Sequence, residues 1–397
     1  MKQASTSQRL RSLDVLRGFT VAGMILVNNG YGESFETLRH SRWNGLTPCD
    51  LVFPFFLFIM GIACYLSLSK SQFRATRPVV FRVVKRTLLL FAIGLFINWF
   101  DHAVEGDPFC FGHLRVWAVM QRIALCYMAV SLFAVCCNHR YTLHVVVALL
   151  AAYTLILLLG NGYAEDASSN ILAQVDRQLF GPEHLYHKSP VDPEGLVATI
   201  SSVAHVLLGF WCGRLIKQPS TTVQKTLAVF ALGAVCVMVG WLLTFGLPLN
   251  KRIWSPSYVL VTCGFCALLL ALLIRHETTA KSSNSTFFMV FGVNALALYV
   301  CSELLSVLFA HFGINVAVYS AIHAVIPLVK WASLVYPWLA EAHPQGLERF
   351  RLFLERLGNA LPIVQWETAP EKMALARAIQ LFMPGKPQVW YLDLPCG

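Results

Sequence analysis

The sequence predicts an all-α protein, a polytopic transmembrane helical bundle of about ten spans. Of its 397 residues, 56% are hydrophobic and only 13% are charged, and the mean hydropathy is +0.59. The apolar residues come in repeated runs of roughly 20, which is the length of a helix that crosses a bilayer. A soluble domain of this size does not need so much apolar surface, so one membrane domain is favoured over two or three soluble domains.

The predicted spans follow one another along the chain with short connections. They cover roughly residues 13–30, 46–68, 83–100, 115–137, 141–160, 196–216, 224–245, 254–274, 286–310 and 314–337. The first apolar segment contains Asp14 and Arg17 and has no small-residue cleavage site after it. We therefore expect a membrane span there and not a cleaved signal peptide.

Basic residues cluster in some loops, and acidic residues cluster in the loops between them. The basic segments are residues 2–11, 70–86 and 214–225, and the acidic segments are residues 33–36, 101–107 and 165–194. Because Lys and Arg mark cytoplasmic loops, both termini are predicted to be cytoplasmic and the loop with His40 to face outward. We expect a multi-pass protein of the inner (plasma) membrane whose polar site faces the periplasm. Lys251 and Arg252 go against this trend, since they lie in a short outer loop.

Charge and cysteine content exclude several other classes of protein. The net charge of +10 is attributed to the cytoplasmic loops, so membrane lipid is an expected partner and nucleic acid is not. The twelve Cys lie mostly in apolar runs without the spacing of zinc ligands, so we expect no metal and read them as small core residues. Cys49 and Cys110 lie near the same membrane face, but a disulfide between them is disfavoured.

The chain is predicted to divide into two parts. Residues 1–340 form the transmembrane domain, and residues 341–397 form a cytoplasmic tail in which residues 345–358 have the spacing of an amphipathic surface helix. The longest outer segment, residues 161–195, is expected to be a structured lid. Within it, Asp192–Pro193 is expected to cap and begin the sixth span.

The stretch from Arg39 to Gly61 is the most informative part of the sequence. A polar loop carrying His40, Trp43 and Asn44 runs directly into an apolar helix. Thr47 is suited to cap this helix, Pro48 fits its first turn, and Asp50 occupies the capping-box position. The pattern places a titratable imidazole beside a fixed carboxylate at the membrane–water boundary. A capped helix with an interfacial His and Trp would explain the same residues without a function.

Polar residues inside the spans suggest a site in the outer half of the bundle, because such residues are costly in lipid. The predicted set comprises Asn28, His40, Asp50, Asn98, Arg122, Asp192 and Glu303. Interhelical hydrogen bonds or ion pairs would explain each residue taken alone, for example Arg122 with Asp101 or Glu303. His205 and His323 are expected to be helix-packing residues.

The inner end of the first span carries a second charged group. Arg9, Arg11, Asp14 and Arg17 flank it, facing the basic loop 70–86. Anchoring by the positive-inside rule accounts for these residues. A cationic entrance of this kind would also suit an anionic cytoplasmic ligand such as a phosphorylated cofactor.

Seven sequence blocks resemble one known family in the same order. They read LRSLDVLRGFTVAGMILVNNG, HSRWNGLTPCDLVFPFFLFIMG, LRVWAVMQRIALCY, VDRQLFGPEHLY, DPEGLVATISSVAHVLLG, LNKRIWSPSYVL and FGVNALALYV. Over roughly residues 9–305 the chain resembles the heparan-alpha-glucosaminide N-acetyltransferase family, in its bacterial form without a lumenal domain. It departs from the family at Trp117–Ala118, where Pro-Gly is usual, and the similarity fades after about residue 315.

The resemblance implies a transmembrane acetyltransferase that takes acetyl-CoA as co-substrate from the cytoplasm and acetylates an amino sugar on the far side. The family's active-site histidine precedes the WNGLT block, which places it at His40. The asparagine closing the first family helix matches Asn28, with Asn29 as the alternative, and Asp50 takes the acidic position of the second block. The resemblance is also compatible with a homodimer. The acceptor sugar stays open between free glucosamine, a glucosamine-bearing glycan end and a cell-wall fragment.

These residue types suit acetyl transfer. A histidine can take the proton of the attacking amine, Asp50 can fix its tautomer, and the Asn28 amide can donate to the developing oxyanion. The acetyl-CoA side is assigned to Arg9, Arg11, Asp14 and Arg17, and the acceptor side to Trp43, Asn44, Arg122, Asp192 and Glu303. His40 acts either as general base in a direct transfer, which we favour, or as an acetyl carrier.

A multi-pass sugar transporter is the rival prediction, because many spans with inward polar residues suit a carrier equally well by composition. A scaffold protein ranks third, since it would need no buried His, Arg and Glu.

Overall fold

The computed structural model describes residues 10–29, 38–109, 111–186, 189–279 and 286–318. Within these ranges the chain is helical and contains no β-strand, which confirms the all-α class. The helices are α1 Arg11–Asn28, α2 Val52–Ser69, α3 Arg77–Val104, α4 Val119–Cys136, α5 Thr142–Leu159, α6 Ile171–Phe180, α7 Thr199–Lys217, α8 Thr222–Leu243, α9 Pro256–Thr279, α10 Thr286–Val293 and α11 Ala295–His311.

Six helical stretches of the described residues are long and apolar enough to cross a membrane. They are Pro48–Ser69, Val119–Cys136, His139–Leu159, Thr199–Lys217, Thr222–Leu243 and Pro256–Thr278. A seventh is counted if Phe287–Val293 and Ala295–His311 form one broken span. The chain is therefore a membrane helical protein, whereas the count of ten spans and the cytoplasmic position of the termini stay predictions.

The predicted ninth span, residues 286–310, is not one straight helix. The helices on either side of Asn294 meet at 87°. The Asn294 side chain donates to the Val290 carbonyl at 3.2 Å, and the Asn294 N–H bonds the same oxygen at 3.3 Å. These two bonds lie at the end of α10, and the next helix, α11, starts at Ala295 in a different direction.

Two other helix starts differ from the sequence-based expectation. Asp192–Pro193 does not cap the sixth predicted span, because the Asp192 carboxylate accepts the N–H groups of Tyr186 and Glu194 at 2.9 Å each. That helix, α7, begins only at Thr199. The fourth predicted span begins four residues late, since Ala118 is extended with φ −148° and ψ −171°.

Close helix crossings hold the bundle together at glycine residues. A Cβ on Gly61 of α2 would lie 2.1 Å from the Val206 carbonyl oxygen of α7, and one on Gly209 would lie 2.1 Å from the Phe58 carbonyl oxygen. The two backbones therefore touch, which only glycine permits. Gly18 of α1 meets α10 in the same way.

Residues Met1–Phe312 form one compact unit, and Gly313–Gly397 form a second. The buried core of the first unit joins α2, α4, α5, α7 and α9. Only residues 313–318 of the second unit are described, so the predicted amphipathic helix 345–358 and His323 lie outside the described residues. The predicted domain boundary at residue 340 stays a prediction.

Candidate active site

The candidate site lies where the loop before α2 meets the loop before α9. His40 Nδ1 is 2.7 Å from Asp50 Oδ1; the His40 side chain is 50% exposed and that of Asp50 is fully buried. Because an ionised carboxylate can only accept, we assign the ring proton to Nδ1, and this leaves the Nε2 lone pair available as a base. The structure thus brings together the histidine and the acid that the sequence predicts.

Asp50 is fixed on both its side chain and its backbone. It belongs to the 3₁₀ turn Pro48–Leu51, and the predicted capping box with Thr47 is present. Its Oδ2 accepts the N–H of Thr47 at 3.1 Å and that of Ser41 at 3.2 Å, while the Tyr258 hydroxyl donates to the Asp50 carbonyl at 2.6 Å. The two N–H groups stabilise the carboxylate charge and orient it toward the imidazole, and the Tyr258 hydroxyl fixes the backbone of Asp50.

Two further side chains contact the imidazole. Lys251 Nζ lies 3.4 Å from Asp50 Oδ1, 2.9 Å from His40 Nδ1 and 3.4 Å from His40 Nε2. Cys49 Sγ lies 3.1 Å from His40 Nδ1. Neither Lys251 nor Cys49 was predicted from the sequence to have a role in the site.

A cavity of about 540 Å³ joins this cluster to the opposite end of α2. His40, Cys49 and Lys251 line one end of it, and Ser67 and Arg86 line the other. Its lining includes positions 52 and 67 of α2, which differ by 15 residues, so the cavity follows the helix for roughly 22 Å at a rise of 1.5 Å per residue. The imidazole therefore faces a long internal passage.

The end of the cavity away from His40 is basic. Arg17 and Arg86 line it; Arg17 Nη1 contacts Asp14 Oδ1 at 3.0 Å and the Gly292 carbonyl at 3.2 Å. Arg11 is exposed at the start of α1, and Arg9 lies outside the described residues. Arg86 is the second cation at this end of the cavity, where Arg9 and Arg11 were expected. From the sequence it was recognised only as part of the basic loop 70–86.

Asn28 lines the cavity, and its Nδ2 donates to Glu303 Oε1 at 2.9 Å. The Glu303 carboxylate, one of the two predicted partners of Arg122, therefore pairs with Asn28. The Arg122 side chain is fully buried, donates from Nη2 to the Gly195 carbonyl at 3.0 Å, and lies 5.0 Å from the centre of the Trp254 ring. The suggested ion pair of Arg122 with Glu303 or Asp101 is therefore wrong.

Trp43 and Asn44 connect loops around the site. The Trp43 indole donates to the Tyr163 carbonyl at 3.1 Å, and Asn44 Oδ1 accepts from Asn250 Nδ2 at 3.2 Å. Neither is among the described residues that line the cavity. Their geometry fits a support for the two loops better than direct contact with an acceptor.

Asp192 is also buried away from the cavity. Arg115 Nη2 contacts Asp192 Oδ1 and Glu194 Oε2, each at 2.8 Å. Of these two acids, Glu194 lines the cavity. Asn98 Nδ2 donates to the Arg115 carbonyl at 2.6 Å and so supports the same cluster from α3.

The segment next to Glu194 contacts a buried acid of α6. Asp176 Oδ1 accepts the Leu196 N–H at 3.0 Å. Burial raises the pKa of Asp176 to about 6, and the nearby Asp192 charge adds to this while the Leu196 hydrogen bond and Arg122 oppose it. Segment 161–195 thus contains the helix α6, and its role as an outer lid stays a prediction.

Comparison with known proteins decides the family. Residues 10–340 match the family model described as "Acyltransferase domain". The chain belongs to this acyltransferase family. It is also 28% identical over 361 residues to heparan-alpha-glucosaminide N-acetyltransferase of Mus musculus, covering 76% of this chain and 54% of the relative. The Homo sapiens protein of the same name is 28% identical over 359 residues, covering 74% and 53%.

The resemblance stated from the sequence blocks is confirmed as a distant family relationship. The chain spans about half the length of these curated relatives. The acyltransferase family, together with the apolar helices, identifies the chain as a membrane enzyme and favours it over the transporter and the scaffold. Among the described residues we find no cluster of three or more His, Cys, Asp or Glu that could hold a metal ion.

The candidate site contains residues that were not predicted from the sequence. Lys251 is 211 residues away from His40 in the chain, so the contact between their side chains could not be predicted from the sequence around either residue. Its only signal was a positive charge in a loop predicted to lie outside. Glu194 had no separate signal, because it stands in an acidic segment with five other acids.

Proposed function

We propose that this acyltransferase moves an acetyl group from cytoplasmic acetyl-CoA to the amine of a glucosamine-type sugar on the extracytoplasmic side. The observation that carries the proposal is the continuous cavity between Arg17 and Arg86 at one end and His40 at the other. A mostly apolar passage with basic residues at one end suits a flexible chain that begins in phosphate groups and ends in a thioester. The names of the two curated relatives support the acceptor class.

In the proposed reaction, the sugar amine binds at the cluster of His40, Asp50 and Lys251. His40 Nε2 takes the amine proton while the nitrogen attacks the thioester carbonyl. Asp50 holds the ring by its Nδ1 proton and stabilises the imidazolium that forms. The carbon–sulfur bond then breaks, and the CoA thiolate leaves with a proton returned from the imidazolium.

Asn28 is the proposed hydrogen-bond donor to the carbonyl oxygen, because its side chain lines the cavity. Its contact with Glu303 fixes the amide, so one of its two N–H groups remains to face the substrate. On the acceptor side, Glu194 replaces Asp192 as the acid in position to contact the sugar. Arg122, Trp43 and Asn44 then act by holding the surrounding loops.

Sealed vesicles test the direction and the chemistry together. Vesicles with labelled acetyl-CoA on the cytoplasmic side and glucosamine on the other should release N-acetylglucosamine outside. His40→Ala should lower turnover by about 10²- to 10⁴-fold, the usual contribution of a positioned base. His113→Ala is the matched control, because His113 is 59% exposed and pairs with Glu183 in an outer loop. Near-normal turnover of His40→Ala would remove His40 from the mechanism, and movement of unmodified glucosamine alone would support a carrier.

The same preparation separates the direct route from an acetylated histidine. Wild-type enzyme is mixed with labelled acetyl-CoA in the absence of sugar and quenched. Label retained on the wild-type protein but not on His40→Ala would favour the acetyl carrier. An unlabelled protein that still acetylates glucosamine would favour direct transfer.

A further inference from the structure

The loop 249–255, before α9, is built more rigidly than a plain connection requires. Asn250 and Ser255 close it, since the Asn250 N–H donates to Ser255 Oγ and the Ser255 N–H donates to the Asn250 carbonyl, each at 3.0 Å. The Ile253 N–H donates to Asn250 Oδ1 at 3.2 Å, and the Tyr153 hydroxyl donates to the Ile253 carbonyl. The loop is thus fixed from inside and from α5.

One residue of this loop has an unusual backbone. Trp254 has φ +52° and is fully buried, a combination that is rare for a bulky side chain. Backbone strain of this kind persists only where surrounding contacts impose it, and it is often found at functional sites. Here the Trp254 N–H bonds the Lys251 carbonyl at 3.1 Å, so the strained turn fixes the backbone from which the Lys251 side chain extends.

The Lys251 side chain extends into the end of the cavity that holds the imidazole. The Lys251 side chain is 14% exposed and lines the cavity. Its Nζ lies 2.9 Å from His40 Nδ1 and 3.4 Å from both Asp50 Oδ1 and His40 Nε2. A substrate atom that hydrogen-bonds His40 Nε2 would therefore also lie close to the ammonium. The neighbouring Arg252 turns away, because its Nε donates to the Arg42 carbonyl at 2.8 Å.

We propose that Lys251 is a further catalytic residue, whose ammonium stabilises the negative charge that forms on the thioester carbonyl oxygen. This inference rests on the proposed acetyl transfer. When the amine nitrogen attacks the carbonyl carbon, the C=O π pair moves onto oxygen, and Lys251 donates a hydrogen bond to it. When the C=O bond re-forms, the carbon–sulfur pair leaves with sulfur and Lys251 keeps all its protons. Asp50 holds the ammonium in place through their 3.4 Å ion pair.

The role differs from that of an orienting ion pair. A group that bonds only the developing oxyanion changes kcat and leaves substrate binding nearly unaltered. Removal of one such donor lowers kcat by about 10²- to 10³-fold in other acyl-transfer enzymes. A residue that merely holds the loop would instead change folding and the binding of both substrates.

The test is a graded series at position 251, in the purified full chain. Lys251→Arg, Lys251→Gln and Lys251→Met keep most of the side-chain length while the donor weakens from cation to amide to none. We expect kcat for N-acetylglucosamine formation to fall in that order, by about 10²- to 10³-fold for Lys251→Met. The KM for acetyl-CoA and for glucosamine should change by no more than a few fold. Arg252→Met removes an equal charge one position away and should leave kcat unchanged.

Three results would overturn the role of Lys251. One is a kcat of Lys251→Met close to that of the wild type. Another is a loss of kcat that follows the thermal midpoint or acetyl-CoA affinity of each variant and not its donor strength. The third is a Lys251→Arg enzyme no faster than Lys251→Gln, a comparison that stands even if Lys251→Met does not fold. A wild-type enzyme that acetylates no glucosamine would instead overturn the proposed function itself.

Discussion

The contact between His40 and Asp50 gives a quantitative prediction. Asp50→Asn keeps the size of the side chain but removes its charge. The change places either a neutral oxygen or an N–H group opposite His40 Nδ1. A hydrogen bond to a charged group is worth about 1.5–3 kcal/mol, and each 1.36 kcal/mol is tenfold in rate. Because the imidazolium forms only during the reaction, we expect kcat to fall by about 10- to 150-fold.

The assay for Asp50→Asn is N-acetylglucosamine formation with both substrates saturating, and the thermal midpoint is measured on the same sample. Glu165→Gln makes the same chemical change at an exposed acid of the loop between α5 and α6 and should behave as the wild type. A folded Asp50→Asn enzyme with kcat within about threefold of the wild type would refute the argument that the carboxylate orients and stabilises the ring. So would a loss of kcat fully explained by a smaller folded fraction.

Two further predictions concern stability. Gly61→Ala should destabilise the bundle by about 1–3 kcal/mol, because its Cβ would lie 2.1 Å from the Val206 carbonyl oxygen. The control Gly23→Ala, whose Cβ would lie 3.6 Å from its nearest neighbour, should be neutral or stabilising. Thermal unfolding in detergent compares the two variants, and equal midpoints would contradict the close crossing of α2 and α7. Burial raises the pKa of Asp176 from 3.8 to about 6, so the folded protein binds this proton more tightly than the unfolded chain does. As the pH rises from 4 to 6, this carboxyl group therefore lowers the free energy of unfolding by up to roughly 3 kcal/mol. Asp176→Asn should therefore raise the thermal midpoint more at pH 7.5 than at pH 5, and a pH-independent difference would show that its carboxyl is not perturbed.

Local sequence signals predicted the helical class and the entrance to α2. The order Thr47, Pro48 and Asp50 specifies the capped turn by bonds that reach only three residues along the chain. The same turn brings Asp50 back to His40, ten residues earlier, so this contact was within reach of a local argument. The roles assigned to these residues stay predictions until activity is measured.

Contacts between distant segments could not be predicted in the same way. Arg122 was expected to pair with an acid, but it lies against the Gly195 carbonyl and Trp254 because the packing of α4 against α7 and the loop 249–255 decides its neighbours. Lys251 meets His40 only after α9 has packed beside α2. When a span is apolar on every face, its sequence does not show which face packs inward, so the neighbours of its polar side chains cannot be predicted. The polar residues could therefore be identified from the sequence, but their partners could not.

The wall of the cavity has a consequence for biosynthesis. Gly292, Val293, Ala295, Leu296 and Tyr299 line the cavity, and they belong to α10 and α11, which the ribosome makes after all the other helices described. Until these helices dock against α1, the passage beside His40 is open on one flank. A chain that ends after α9 would carry His40, Asp50 and Lys251 but would lack Glu303 and one wall of the cavity. We therefore expect premature termination in this region to yield an inactive protein.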